Sequence, residues 1–160
     1  MAVATHVSRV AKDYAPYGYS IMADVALKSG TLSSTGIFVP LRADDADILI
    51  DSIKFAPGTS YGNTSGHASN YWKIHFLEWT PSLGAPVATG SPNPTSTTAI
   101  ATMRATDVAG GSLTAWTPES ATLASTPVLD KGKVLCVFLE KEGSAANLNL
   151  TVWVRHRRKA

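Results

Sequence analysis

The chain of 160 residues contains one cysteine, Cys136, which excludes an internal disulfide framework and any multi-cysteine metal site within one chain. Charge is scarce as well: charged residues are 16% of the total, against about 25% in ordinary soluble proteins. Ser, Thr, Ala, Asn and Gly fill the gap, so the surface reads as one of hydroxyls and not as solvated helices. A formal net charge of +2 gives no strong field and argues against a dedicated nucleic-acid binder, whose affinity comes from neutralising phosphates. No apolar run approaches the roughly 18 residues of a membrane span, and the opening residues lack the apolar core of a signal peptide; a soluble, non-exported chain is expected.

Catalytic and metal signatures are equally thin. The sequence has no G-x-S-x-G, and Cys136 lies mid-strand between Leu135 and Val137, where a small hydrophobe is the plain reading. His6, His67, His75 and His156 are scattered, with no i, i+2 or i, i+4 pair to share a metal. None of Glu78, Glu119, Glu140 and Glu142 has a context marking it as acid or nucleophile for glycoside hydrolysis. The cluster Asp44, Asp45, Asp47 and Asp51 is the best local set for calcium, yet it lacks the glycine and terminal glutamate of an EF-hand loop. It reads instead as an Asp-rich turn that caps its own backbone. No cofactor is expected, and the chain is not read as an enzyme.

What the sequence does carry is alternation. In 19-YSIMADVAL-27 apolar residues fall at every second position, as they do in 71-YWKIHFLEW-79 and most cleanly in 146-ANLNLTVWVR-155, where Leu148, Leu150, Val152 and Val154 share one face. The runs 48-ILIDSIKF-55 and 134-VLCVFLE-140 are apolar on nearly both faces and read as interior strands covered on both sides. Shorter strands are expected at 36–40, 97–103, 112–116 and 126–130. A helix over 99–108 is the one competing assignment, since Ile100, Met103, Arg104 and Val108 sit near helical spacing; its threonines and uncapped start favour strand and turn. Gly/Pro/Asn-rich stretches at 56–70, 80–94 and 107–120 supply the connections. A chain of this length buries about 70% of its unfolded surface, enough for one core. The expected fold is all-β, a β-sandwich of the eight-stranded jelly-roll kind, because its long connections exceed what a hairpin meander needs. Residues 1–18 read as an extended N-terminal arm, 19–157 as the single sandwich domain and 158–160 as a basic C-terminal tail.

Aromatic and basic residues are the candidate contacts. Trp72 reads as core. Tyr14, Tyr17 and Tyr19 in the arm, and Trp153 on the polar face of its strand, are candidates for lying against an adjacent subunit. Tyr61, Trp116 and Trp153 form the alternative set, as stacking platforms for sugar rings. The run 155-RHRRK-159 reads as a solvated chain end, with DNA or an acidic partner surface as the other option.

Four segments together resemble small jelly-roll or β-sandwich virion proteins of tailed bacteriophages, of the capsid decoration (cement) or head-fibre type. They are Asn70-Tyr71-Trp72 opening a strand, Leu113 to Thr117, the turn Asp130 to Leu135 before an interior strand, and Lys141 to Leu148 leading into the last strand. The resemblance spans about half the chain. It implies a structural virion protein, assembled in the bacterial cytoplasm, that binds the major capsid protein as a homo-oligomer, taken as a trimer. Its alternative is a tail or receptor-binding domain that recognises carbohydrate. No catalytic residue is implied.

Overall fold

The computed structural model describes residues 24–60, 68–80, 97–125 and 127–159. Within them are nine strands: β1 (Asp24–Leu32), β2 (Gly36–Arg42), β3 (Ile48–Pro57), β4 (Tyr71–Trp79), β5 (Thr97–Ala105), β6 (Glu119–Ser120), β7 (Val128–Leu129), β8 (Val134–Glu142) and β9 (Leu148–Arg158). All pairings are antiparallel. One sheet has the order β1-β9-β3-β6, with β7 also on β3, and the other has β2-β8-β4-β5. The described residues are therefore all-β, and the two sheets face each other as a sandwich around a shared core. Ile50, Ile53, Phe55, Leu150, Val152 and Val154 from the first sheet meet Trp72, Ile74, Phe76, Leu135, Val137 and Leu139 from the second.

Period-2 alternation places these side chains. Along β9, Leu148, Leu150, Val152 and Val154 are buried while the residues between them are not, as a strand with one wet face requires. β8 is buried at all six positions from Val134 to Leu139, so it is covered on both faces as expected. β3 is not, which corrects the reading of 48–55. Asp51 and Lys54 are exposed, and the register against β9 slips between Ile50 and Ser52. This bulge puts one extra residue into β3 and shifts the phase, so Ile50 and Ile53 reach the same core although they lie three apart.

A similar irregularity settles the helical alternative over 99–108. β5 is a strand to Ala105, with two register shifts against β4. They bury the adjacent pair Ile100 and Ala101 and turn Met103 outward, which mimics helical spacing without a helix. β1 carries the strand begun in 19–27 on to Leu32; residues 19–23 lie outside the described residues. The strand expected at 112–116 is absent. There the chain forms a loop, and the short pairing falls later, at β6.

β9 also runs further than anticipated. Leu49 pairs with Arg157 and Ile48 with Arg158, so the basic run is sheet and not a free chain end. Its charges meet the acidic cluster: Arg157 lies 3.2 Å from Asp51, Arg158 4.0 Å from Asp45 and Lys159 3.9 Å from Asp47. Each exposed pair contributes at most about 1 kcal/mol; together they fix which side of the sheet the chain end follows. Among the described residues, no three His, Cys, Asp or Glu side chains gather as a metal would need, and no helix is long and apolar enough to cross a membrane.

One buried carboxylate ties the turn before β8 to β4. Glu78 accepts the Asp130 N–H at 2.9 Å and the Lys133 ammonium at 2.6 Å, and Gly132, at φ +82°, supplies the left-handed step of that turn. Glu78→Ala strips both bonds and is expected to destabilise the fold by about 2 kcal/mol. Glu78→Gln, which can still accept from the backbone N–H, is expected to lose less. Urea denaturation of the two variants checks the order.

Candidate functional site

The connection from β5 to β6, residues 106–118, is built to hold a fixed shape at the surface. It begins at Thr106, whose N–H donates to the Trp72 carbonyl at 2.9 Å and whose hydroxyl accepts the Trp72 N–H at 2.9 Å. A tight turn follows: the Asp107 carboxylate accepts from Gly110 N–H at 2.6 Å, and the Asp107 carbonyl accepts from Gly111 N–H at 2.7 Å. Gly111 has φ +77°, and a Cβ at Gly110 would collide with the Ala105 carbonyl, so neither position takes a larger residue without strain. Leu113 plugs into the core.

Arg104 closes the base of this loop. Its guanidinium grips Glu119 through two bonds, Nε to Oε2 at 2.8 Å and Nη2 to Oε1 at 3.2 Å, and reaches the carbonyls of Ala105 and Gly111. A paired guanidinium–carboxylate contact is directional as well as strong. Because Arg104 belongs to one sheet and Glu119 to the other, it also staples the two sheet edges.

Trp116 stands at the far side. It is 72% exposed, and its φ of +56° is the one positive value at a non-glycine residue among the described residues. Left-handed backbone costs a residue with a Cβ about 1–2 kcal/mol, and an aromatic gains nothing there from burial. Four bonds hold the position: Trp116 N–H to the Pro57 carbonyl at 2.9 Å, Thr117 N–H to the Thr114 carbonyl at 3.1 Å, the Thr117 hydroxyl to the Ala115 carbonyl at 3.4 Å, and Ala115 N–H to the Ser60 hydroxyl at 3.1 Å. Val108, 60% exposed, lies on the same loop. Such strain persists where the surroundings enforce it and is over-represented at functional positions, which makes Trp116 the candidate contact of this loop.

The structure treats the sequence candidates unequally. Trp116 is displayed as described. Trp153 is half-buried on the outward face of β9, opposite Lys54 of β3, which pairs in turn with Ser120 of β6. Tyr14, Tyr17, Tyr19 and Tyr61 lie outside the described residues. The 113–117 segment is nevertheless bonded to Ser60, next in sequence to Tyr61. Trp72 is wholly buried, and its indole N–H donates to the Ala146 carbonyl at 2.8 Å. Arg104 was visible in the sequence only as part of a helical pattern; its role depends on Glu119, fifteen residues on, which periodicity does not expose.

Cys136 and His75, on the outward face of β4 and β8, are among the groups with displaced proton affinities. Burial pushes the Cys136 thiol up to about 12, so it is inert as a nucleophile at neutral pH. His75 stacks on Phe138 with ring centroids 5.2 Å apart. Burial lowers its proton affinity, only partly opposed by Glu140, whose Oε2 lies 3.4 Å from Nε2. The unfolded chain therefore takes up this proton first as pH falls below about 6.5. The native state lags, so stability is lost across that window. A plot of Tm against pH from 7 to 5 is expected to be flatter in His75→Gln than in the parent.

Scans against protein-family models and curated protein sequences find no match to this chain.

Proposed function

We propose that this chain is a non-enzymatic structural protein of a tailed-bacteriophage virion, a capsid decoration protein that binds and stabilises the major capsid shell as a homotrimer. The observation that carries the reading is the strand order. With β1-β9-β3-β6 facing β2-β8-β4-β5, strands from the start and end of the chain interleave in both sheets. This order supports an eight-stranded jelly roll of two Greek keys, with β7 an added two-residue bridge. That architecture serves viral capsid and lectin domains. The low-charge surface suits close-packed neighbours, since Lys and Glu are depleted at interface cores. Trp116 and Val108 give the sandwich an apolar attachment point at one end.

The test is binding of the purified chain to capsids stripped of it, together with its mass in solution. Trimer mass and saturable binding support the proposal; a monomer that leaves the capsids bare rejects it.

A second reading, carbohydrate recognition by a tail or receptor-binding domain, is favoured by the exposed Trp116 indole, a ring face open for stacking on a sugar. Glycan-array binding that disappears in Trp116→Ala would establish it, whereas silence across bacterial surface glycans counts against it.

A further inference from the structure

The second sheet is buried on the side that faces away from the sandwich. β4 and β8 pair so that His75 is opposite Phe138, Leu77 opposite Cys136 and Trp79 opposite Val134. These residues alternate with the core-facing Ile74, Phe76, Val137 and Leu135, so they point outward. In a two-layer sandwich this face meets water, yet His75 is 5% exposed, Leu77 4%, Phe138 1% and Cys136 0%. Among the described residues, the half-buried Trp79 is the one further apolar side chain that packs with the Leu77–Cys136–Phe138 cluster.

The same face has buried polar atoms left over. Trp79 Nε1 and His75 Nε2 have no hydrogen-bond partner among the described residues, and Glu140 Oε2 has the Lys73 ammonium at 3.5 Å and His75 Nε2 at 3.4 Å, both long for hydrogen bonds. Buried polar groups are nearly always paired. Whatever covers the face is therefore apolar and brings hydroxyls or backbone groups to an indole N–H and a carboxylate.

We propose that the segment preceding β1, through Tyr14, Tyr17 and Tyr19, forms a third layer over the outward face of β4 and β8 in its own chain. Position argues for it. Asp24 pairs with His156, His156 with Ile50, and Arg42 with Val134, itself opposite Trp79. The short Ala43–Asp47 link joins Arg42 to Ile48 at this same end. The chain therefore enters β1 at the end where the apolar face starts, beside the edge strand β2. Length suffices: at about 3.3 Å per extended residue, five residues carry the chain about 16 Å around that edge. Tyr17 and Tyr14 then fall over the face. Chemistry agrees, since tyrosine combines apolar area with a hydroxyl that both donates and accepts. The 81–96 connection starts at the same end, but its apolar side chains larger than alanine are Leu83 and Val87, among four prolines. The proposal sets the arm against its own chain, as an alternative to the contact with a neighbouring subunit expected from the sequence; the idea does not depend on what the protein binds.

The experiment places a photo-cross-linker in the full-length chain as Tyr17→p-benzoylphenylalanine and mixes isotopically light and heavy copies before irradiation. Cross-links to 75–79 or 134–138 within chains of one label are expected. Cross-links confined to other segments overturn the proposal, and so do mixed-label cross-links at the share that random pairing of light and heavy copies gives, which would mean that a second copy supplies the cover. As a second readout, the full-length variant Y14S/Y17S/Y19S, checked for strand content by circular dichroism, is expected to expose Cys136 to an aromatic disulfide reagent at least 10-fold faster than the parent. An unchanged rate in the folded variant would also overturn it.

Discussion

Trp72→Ala is expected to be the most damaging single change in the described residues, costing about 4 kcal/mol or more. The indole is completely buried among side chains of both sheets, and truncating a buried aromatic to alanine removes about 3–5 kcal/mol through lost transfer energy and an unfilled cavity. It also strands the Ala146 carbonyl, which accepts the indole N–H at 2.8 Å; an orphaned acceptor adds about 1 kcal/mol. Against the 5–15 kcal/mol that stabilises a typical domain, such a loss leaves a large unfolded fraction. The backbone of Trp72 is the anchor of Thr106, so partial unfolding is expected to loosen the Trp116 loop as well. Trp72→Phe keeps most of the packing and forfeits the hydrogen bond, so it should sit between parent and alanine. Urea titrations of the three proteins measure the series, and an alanine variant within 1 kcal/mol of the parent would contradict the packing described.

How far such features were legible in the sequence depends on whether the backbone keeps its period. β4, β8 and β9 alternate cleanly or run fully apolar, and the structure has these strands where the pattern put them, although the face of β4 that the alternation reads as wet is buried at His75 and Leu77. β3 and β5 misled because bulges insert residues: Asp51 shifts Ile53 back to the core, and two slips in β5 bury Ile100 and Ala101 side by side. A bulge has no reliable mark in a single sequence, since its cause lies in the facing strand. The 112–116 segment misled differently. Leu113 and the aromatic at 116 are residues that favour strands, but one plugs the core and the other stands in left-handed backbone, a conformation that sequence statistics assign to glycine or asparagine. The charged surface was half legible. The acidic turn and the basic run were each visible, but their pairing joins residues about a hundred positions apart and follows from β3 lying beside β9.

That left-handed tryptophan also yields the sharpest separation of stability from function. In Trp116→Gly the backbone strain disappears, releasing about 1–2 kcal/mol, while the greater freedom of glycine in the unfolded chain takes back about 0.4–1 kcal/mol. Little burial is lost from a side chain that is mostly in water. The variant is therefore expected to be as stable as the parent or up to about 1.6 kcal/mol more so. Trp116→Ala retains a Cβ in the same strained position, so it gains no such relief and should be slightly less stable than the glycine variant. Binding is expected to respond in the opposite sense. If the indole is the anchor of the attachment surface, removing it costs at least about 2 kcal/mol, as for aromatic hot spots at other interfaces, or roughly a 30-fold weaker affinity for stripped capsids. Both variants should show that loss equally, because both lack the ring, and they should differ only in melting. A glycine variant that binds like the parent would leave the strain at Trp116 without a purpose. A glycine variant that is markedly less stable would show that the indole is held for packing, and that the attachment point lies elsewhere on the sandwich.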